Sequence, residues 1–149
     1  MRVAVQCEWM SMGDVSLVGG DLVMPPLPEA PAVYQWVFRH DGRERRYVGE
    51  AALLRRRFNH YRRPGPSQST NLRMRERALR VLEARGTIEI LVAHDVSFVR
   101  DGEAVVADLS SKHARCLVEN AALVDQLAVM GELVNDKGYG ALRDDPVLR

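Results

Sequence analysis

From Ala32 to Phe38 the chain is an apolar run rich in Val, Tyr and Trp; Asp41-Gly42 follows, and Arg45 to Gly49 resumes an extended pattern. Two β-forming runs joined by a turn dipeptide read as a hairpin, and this hairpin constrains the fold more than any other stretch. Gly49 ends it. Ala51 to Tyr61 then carries helix-forming residues, with Leu54, Phe58 and Tyr61 at helical spacing, closed by Pro64-Gly65-Pro66. Thr70 or Asn71 is placed to cap a second helix through about Arg85, after which Gly86 leads into a β-branched strand from Thr87 to Ala93. A sheet of at least three strands with helices against it results.

Ahead of the hairpin, Val3, Val5, Cys7 and Trp9 alternate with Arg2, Ala4, Gln6 and Glu8, the period of a half-buried strand. Residues 15–18 and 22–24 flank Gly19-Gly20-Asp21, a second hairpin signal, and Pro25, Pro26, Pro28 and Pro31 form a connector. After the last strand, Ser110 or Ser111 caps a third helix. Its apolar stripe is expected to be Leu117, Ala121, Val124 and Ala128, with Glu119 pointing away from it.

The 149 residues fit one compact domain with a core of its own. Cys7 and Cys116, the only cysteines, are too few and too far apart for a zinc cluster and suit a reducing, intracellular setting. With neither a leader pattern nor an apolar stretch near the ~20 residues of a membrane span, the expectation is a cytoplasmic protein that does not enter a membrane. Net charge is only +1, but residues 39 to 80 hold thirteen arginines against four acids. Arginine use throughout explains the choice of Arg over Lys. It does not explain the clustering, which suits a phosphate-binding face.

Six residues within this frame suit phosphodiester hydrolysis: Tyr34, Tyr47, Arg57, Tyr61, Glu119 and Asn135. Pro31-Ala32-Val33-Tyr34 and Tyr47-Val48-Gly49, with Arg57 on the first helix, Glu119 on the third and Asn135 beyond it, resemble the GIY-YIG nucleases over roughly residues 31 to 140. The resemblance implies an α+β fold: a small mixed or antiparallel three-stranded central sheet flanked by helices, both tyrosines at its centre. Residues 1–30 then form an N-terminal strand, hairpin and connector extension, and residues 31–149 the nuclease-like domain.

By the same resemblance, Tyr47 accepts a proton from the attacking water and Tyr34 orients that water. A free phenol titrates near ~10, so the site is expected to lower it with cations and hydrogen bonds. Arg57 would hold phosphate oxygens as charge builds, Tyr61 one turn on would contact phosphate or water, and Glu119 would bind Mg²⁺ or Mn²⁺ as the metal carboxylate. Asn135 would support the site by hydrogen bonding. Two positions depart from the pattern: Ala32 replaces the usual glycine, and Glu50 stands where relatives carry lysine.

Each residue also has a plainer reading. The tyrosines suit core aromatics of strands, Arg115 and Glu119 are spaced for an exposed helix ion pair, and Asn135 suits a turn or helix end. Arg55, Arg56, His60, Arg62, Arg63, Arg73 and Arg77, with the loop from Arg62 to Asn71, are the candidate nucleic-acid-binding surface, though for Arg55 and Arg56 a solvated helix face is the preferred reading. The leading function is a divalent-metal-dependent DNA endonuclease with a one-metal, tyrosine-assisted mechanism; the resemblance implies 5′-phosphate and 3′-hydroxyl ends. The alternatives are a catalytically inactive nucleic-acid-binding module, motivated by Ala32 and Glu50, and a protein-interaction domain. One active site cuts one strand per visit, so a homodimer stays open. So does the role of the N-terminal extension, which is free to dimerise, complete the sheet or contact DNA.

Overall fold

The computed structural model describes residues 1–130 and 146–148, with residues 127–130 described at the backbone only. In chain order the elements are β1 (Val3–Asp14), β2 (Ser16–Val18), β3 (Asp21–Val23), β4 (Ala32–His40), β5 (Arg43–Ala51), α1 (Leu54–Arg62), α2 (Ser69–Glu83), β6 (Thr87–Arg100), β7 (Glu103–Val106) and α3 (Lys112–Met130). The fold is α+β, an antiparallel sheet flanked by three helices. Among the described residues no helix is long and apolar enough to cross a membrane.

The three expected strands lie side by side as β6-β4-β5 in a five-stranded sheet of order β1-β6-β4-β5, with β7 also on β6 and β5 at one edge. Long β6 organises it: one edge takes β1 along nearly its whole length, while the other takes β4 at residues 87–92 and β7 at 97–100. Thus β1 completes the sheet, with register shifts near Cys7 and Met12 that bend the pairing. Three hairpins turn on two residues with positive φ: Gly19-Gly20, Asp41-Gly42 and Asp101-Gly102. Positive φ at both central positions gives the type I′ turn whose twist matches paired strands. The third of these turns and the strand after it were not among the expected elements.

Side chains alternate across the central strands and both faces are covered, so β4 is buried from Ala32 to Phe38. One face carries Tyr34, Trp36 and Phe38 against Leu54, Phe58 and Tyr61 of α1, Met74, Ala78 and Val81 of α2, and Leu22 of the β2–β3 hairpin. The other carries Val33, Val48, Ala93 and Val96 against Val118 and Ala122 of α3.

Local details depart from expectation for physical reasons. Pairing of Ala32 with Ala51 extends β5 past Gly49, so α1 starts at Leu54, whose N–H bonds to the Ala30 carbonyl. Helix α2 starts at Ser69 with Gln68 as its N-cap and no side-chain cap; Asn71 is buried and donates to Gln68 Oε1 at 2.8 Å. That helix ends with Arg85 at positive φ and bonds from Arg85 N–H to the Leu82 carbonyl and from Gly86 N–H to the Val81 carbonyl, a Schellman ending.

The third helix needs the largest correction. It buries Arg115, Val118, Ala122 and Gln126, while Leu117 and Val124, expected in its stripe, are 41% and 68% exposed. Apolar content alone misplaced the face, because a buried arginine and glutamine lie on the inner side. Since Glu119 follows Val118 by one residue and Arg115 by four, it borders the buried face instead of pointing away from it.

Candidate active site

Tyr34 projects from β4 toward α1 and is 1% exposed. Its hydroxyl lies 2.7 Å from that of Tyr61, either able to donate, and accepts a longer bond from Arg57 Nε at 3.4 Å. The Arg57 guanidinium also lies over the Tyr61 ring, 4.7 Å from its centre. Arg57 is therefore held by two aromatic partners from one side. Tyr61 is one helical turn beyond it and completely buried, against Tyr34, Trp36, Tyr47 and Phe58.

Gly49 pairs with Tyr34 across the hairpin, and the reason for glycine is spatial. A Cβ there would sit 2.5 Å from the Tyr34 hydroxyl and 2.6 Å from the adjoining ring carbon. The phenol occupies the space a side chain would need. Two residues before Gly49 on the same face of β5, Tyr47 is half-buried at the edge of this group.

The two buried tyrosines hold their protons more tightly than a free phenol. Burial first, then Tyr47, pushes the Tyr34 phenol well above the ordinary tyrosine range, outweighing the bonds from Tyr61 and Arg57. Burial and then the neighbouring phenols Tyr34 and Tyr47 raise Tyr61 as well. Burial opposes the charge on Arg57, but Tyr61 and Tyr34 together hold it more firmly protonated than usual. Tyr34 and Tyr61 are neutral hydroxyls that position a permanent cation.

The other half of the site approaches from α3. Ser111 caps this helix, its Oγ accepting from Ala114 N–H at 3.4 Å. Arg115, 5% exposed, donates through Nε to Glu50 at 2.6 Å and through Nη1 to the carbonyls of Leu109 and Ser110, both at 2.9 Å. The exposed Arg115–Glu119 pair therefore does not form: Arg115 turns inward to Glu50. Glu119 is left half-buried, and burial first, then Glu50, holds its carboxyl above the usual range. A carboxylate with raised proton affinity beside a second acid suits a cation. A magnesium-type ion that takes one protein carboxylate and fills its shell with water and phosphate is the kind of cation such a lone carboxylate could hold. Among the described residues no group of three or more His, Cys, Asp or Glu side chains converges on a metal position.

The two halves meet at the end of β5, an edge strand of the sheet. Alternation sends Tyr47 and Gly49 to the α1 face and Val48 and Glu50 to the α3 face. Around that end lies a hollow of about 560 Å³ with Arg56, Arg57 and His60 of α1 on one wall and Glu50, Lys112 and Arg115 on the other. Sequence reasoning missed Lys112. Its only signals were its place just after the capping Ser111 and its rarity as a lysine.

The remaining candidate cations separate. Arg55 is tied to the connector through the Leu27 carbonyl at 2.9 Å and Glu29 at 3.7 Å. Arg62 and Arg75 both lie near Asp21 of the N-terminal hairpin, at 4.0 and 3.8 Å. Arg77 is partly buried beside Met74, and burial together with Arg45 and Arg80 pulls its pKa down to about 10, a packed position more than a phosphate-facing one. Arg63 and Arg73 are exposed. Asn135 lies outside the described residues.

The chain is similar in fold to bacteriophage T4 EndoII. Against a glutamate-to-alanine mutant of that protein the TM-score is 0.53 at 14% identity, covering 86% of this chain and 92% of the other. Comparison of the sequence with known families and with curated proteins gives no match.

Proposed function

We propose that the chain is a divalent-metal-dependent DNA endonuclease of the GIY-YIG type. The likeness to EndoII supports this reading, and the observation that carries it is Arg57, held from behind by Tyr34 and Tyr61 yet lining an open hollow with residues of α3. With Nε engaged by Tyr34, Arg57 offers its two terminal nitrogens to non-bridging phosphate oxygens. Tyr47, the less buried phenol, receives the proton of the attacking water, while Tyr34 keeps the guanidinium in place. Glu119 would hold Mg²⁺ or Mn²⁺. When bound, such an ion supplies Lewis-acid stabilisation of the charge that builds on the phosphate. Glu50 does not replace the relatives' lysine in function; it anchors Arg115. A homodimer would provide the second site needed to cut both strands at once.

The second reading, a nucleic-acid-binding module without catalysis, draws on the raised Tyr34 and Tyr61 phenols and on Glu50. Supercoiled plasmid and branched DNA incubated with the protein, with Mg²⁺, Mn²⁺ or chelator, separate the two. Metal-dependent nicking that disappears in Glu119→Ala and Arg57→Ala is the expected result. Salt-sensitive binding without any cleavage selects the binding module.

A further inference from the structure

Arg57 is the wall shared by two hollows. The first, of about 560 Å³, joins Arg57 to Arg56, His60 and Lys112, and its one acid, Glu50, is already engaged by Arg115. The second, of about 330 Å³, joins Arg57 to Ser67, Gln68, Ser69, Thr70 and Asn71 and holds no other charged side chain. Here α2 begins, and its first N–H groups have no partner within the helix and no side-chain cap. The helix dipole adds positive potential at that end. A second observation points to a ligand in this hollow. Asn71 is 4% exposed, donates through Nδ2 to Gln68, and leaves its Oδ1 buried without a hydrogen-bond partner among the described residues. No described residue donates to that oxygen, and its side chain lines the hollow, where a water ordered by a bound phosphate would supply the missing donor.

We propose that one substrate strand runs from the hollow at the start of α2, across Arg57, into the hollow beside Lys112, so that the phosphates flanking the scissile one meet unlike chemistry. Uncharged donors, the hydroxyls of Ser69 and Thr70 and the first N–H groups of α2, hold one side. Cations, Arg56 and Lys112, with His60 on the same wall, hold the other. Lys112 brings an amine to the hollow that also contains Glu50. The proposal rests on the nuclease reading and adds to it the path of the strand and a role for Lys112.

The two sides differ in how they respond to salt. A cation on a phosphate releases counterions, so each one removed flattens the dependence of log affinity on log salt by about 0.9. A neutral hydrogen bond contributes affinity with no such slope. The experiment titrates a labelled 20-base-pair duplex into the full chain in chelator, across salt concentrations. Variants are Lys112→Ala, Arg56→Ala, the double Ser69→Ala/Thr70→Ala, and, as a control lining neither hollow, Arg100→Ala. The expected result is a slope reduced by about 0.9 in Lys112→Ala and in Arg56→Ala, an affinity loss at unchanged slope in the double variant, and wild-type behaviour in Arg100→Ala. Wild-type binding and slope in Lys112→Ala, or an Arg100→Ala loss equal to that of Lys112→Ala, would overturn the track while leaving the nuclease reading intact. No duplex binding by the wild-type chain would overturn both.

Discussion

Gly49 and Tyr34 show how one residue's absence of a side chain sets another's position. The Tyr34 phenol fills the volume above Gly49, from which it reaches Tyr61 and Arg57. Gly49→Ala is expected to displace the phenol, destabilise the fold by about 1–3 kcal/mol and remove cleavage, read by urea denaturation and plasmid nicking. Full activity in that variant would show that the Tyr34–Arg57 contact is dispensable. Glu119 gives a prediction of opposite sign. Its folded-state pKa is raised, so the folded chain binds this proton more tightly than the unfolded chain, and the ionised form costs stability once pH rises through the raised value. Glu119→Gln should therefore be at least as stable as wild type at neutral pH. That advantage should vanish as pH falls below the unfolded carboxyl's range, while metal-dependent cleavage is lost throughout. Denaturation curves across pH test this, and a destabilised Glu119→Gln at neutral pH would contradict it.

Among the elements, α3 depends on one polar link. Arg115 joins the start of this helix to Glu50 on β5 and to the carbonyls before the helix, and so fixes how α3 begins beside β5. Arg115→Ala leaves a largely buried carboxylate and two carbonyls without their donor, an expected loss of about 2–3 kcal/mol. Glu50→Lys restores the residue expected from the family resemblance, yet it sets an amine against Arg115 and should destabilise rather than activate. Thermal melts of both variants check this; a Glu50→Lys variant more stable than wild type would reject the anchoring role. The helix also shows a limit of periodicity. Leu117 and Val124 looked like its inner stripe, but the inward residues include Arg115 and Gln126, whose polarity hid the face. Arg115 is recognisable as an inner residue only beside its partner from β5, sixty-five positions away in the chain.

Across the whole molecule, the N-terminal residues belong to the same packing unit as the site. β1 pairs along β6, Val15 donates to the Ile88 carbonyl, and Val15, Leu22 and Leu27 are buried in the core that also holds Tyr34. Asp21 brings the β2–β3 hairpin against Arg62 and Arg75, drawing part of the arginine block away from a phosphate-facing role. A chain beginning at residue 31 is expected to lose cooperative folding, because it bares one edge of β6 and removes three core side chains. A sharp melt with native-like circular dichroism for that truncation would show the extension to be dispensable.

The sequence by itself determined the elements with strong local chemistry. Asp41-Gly42 and Gly19-Gly20 specified their hairpins because positive φ is a local requirement, and the Leu54, Phe58, Tyr61 spacing placed α1's inner face, because three apolar residues at helical spacing define one side. That spacing also put Arg57 one turn from Tyr61, but the stacking of the guanidinium on the ring emerged only in the packed structure. The tertiary structure decided what depends on residues distant in sequence. It joined β1 to β6, turned Arg115 toward Glu50, raised the proton affinity of Tyr34, and sorted the clustered arginines into structural ties, cavity walls and exposed side chains. Burial and charge pairing are properties of neighbourhood in space, and a linear pattern carries them only where neighbours in space are also neighbours along the chain.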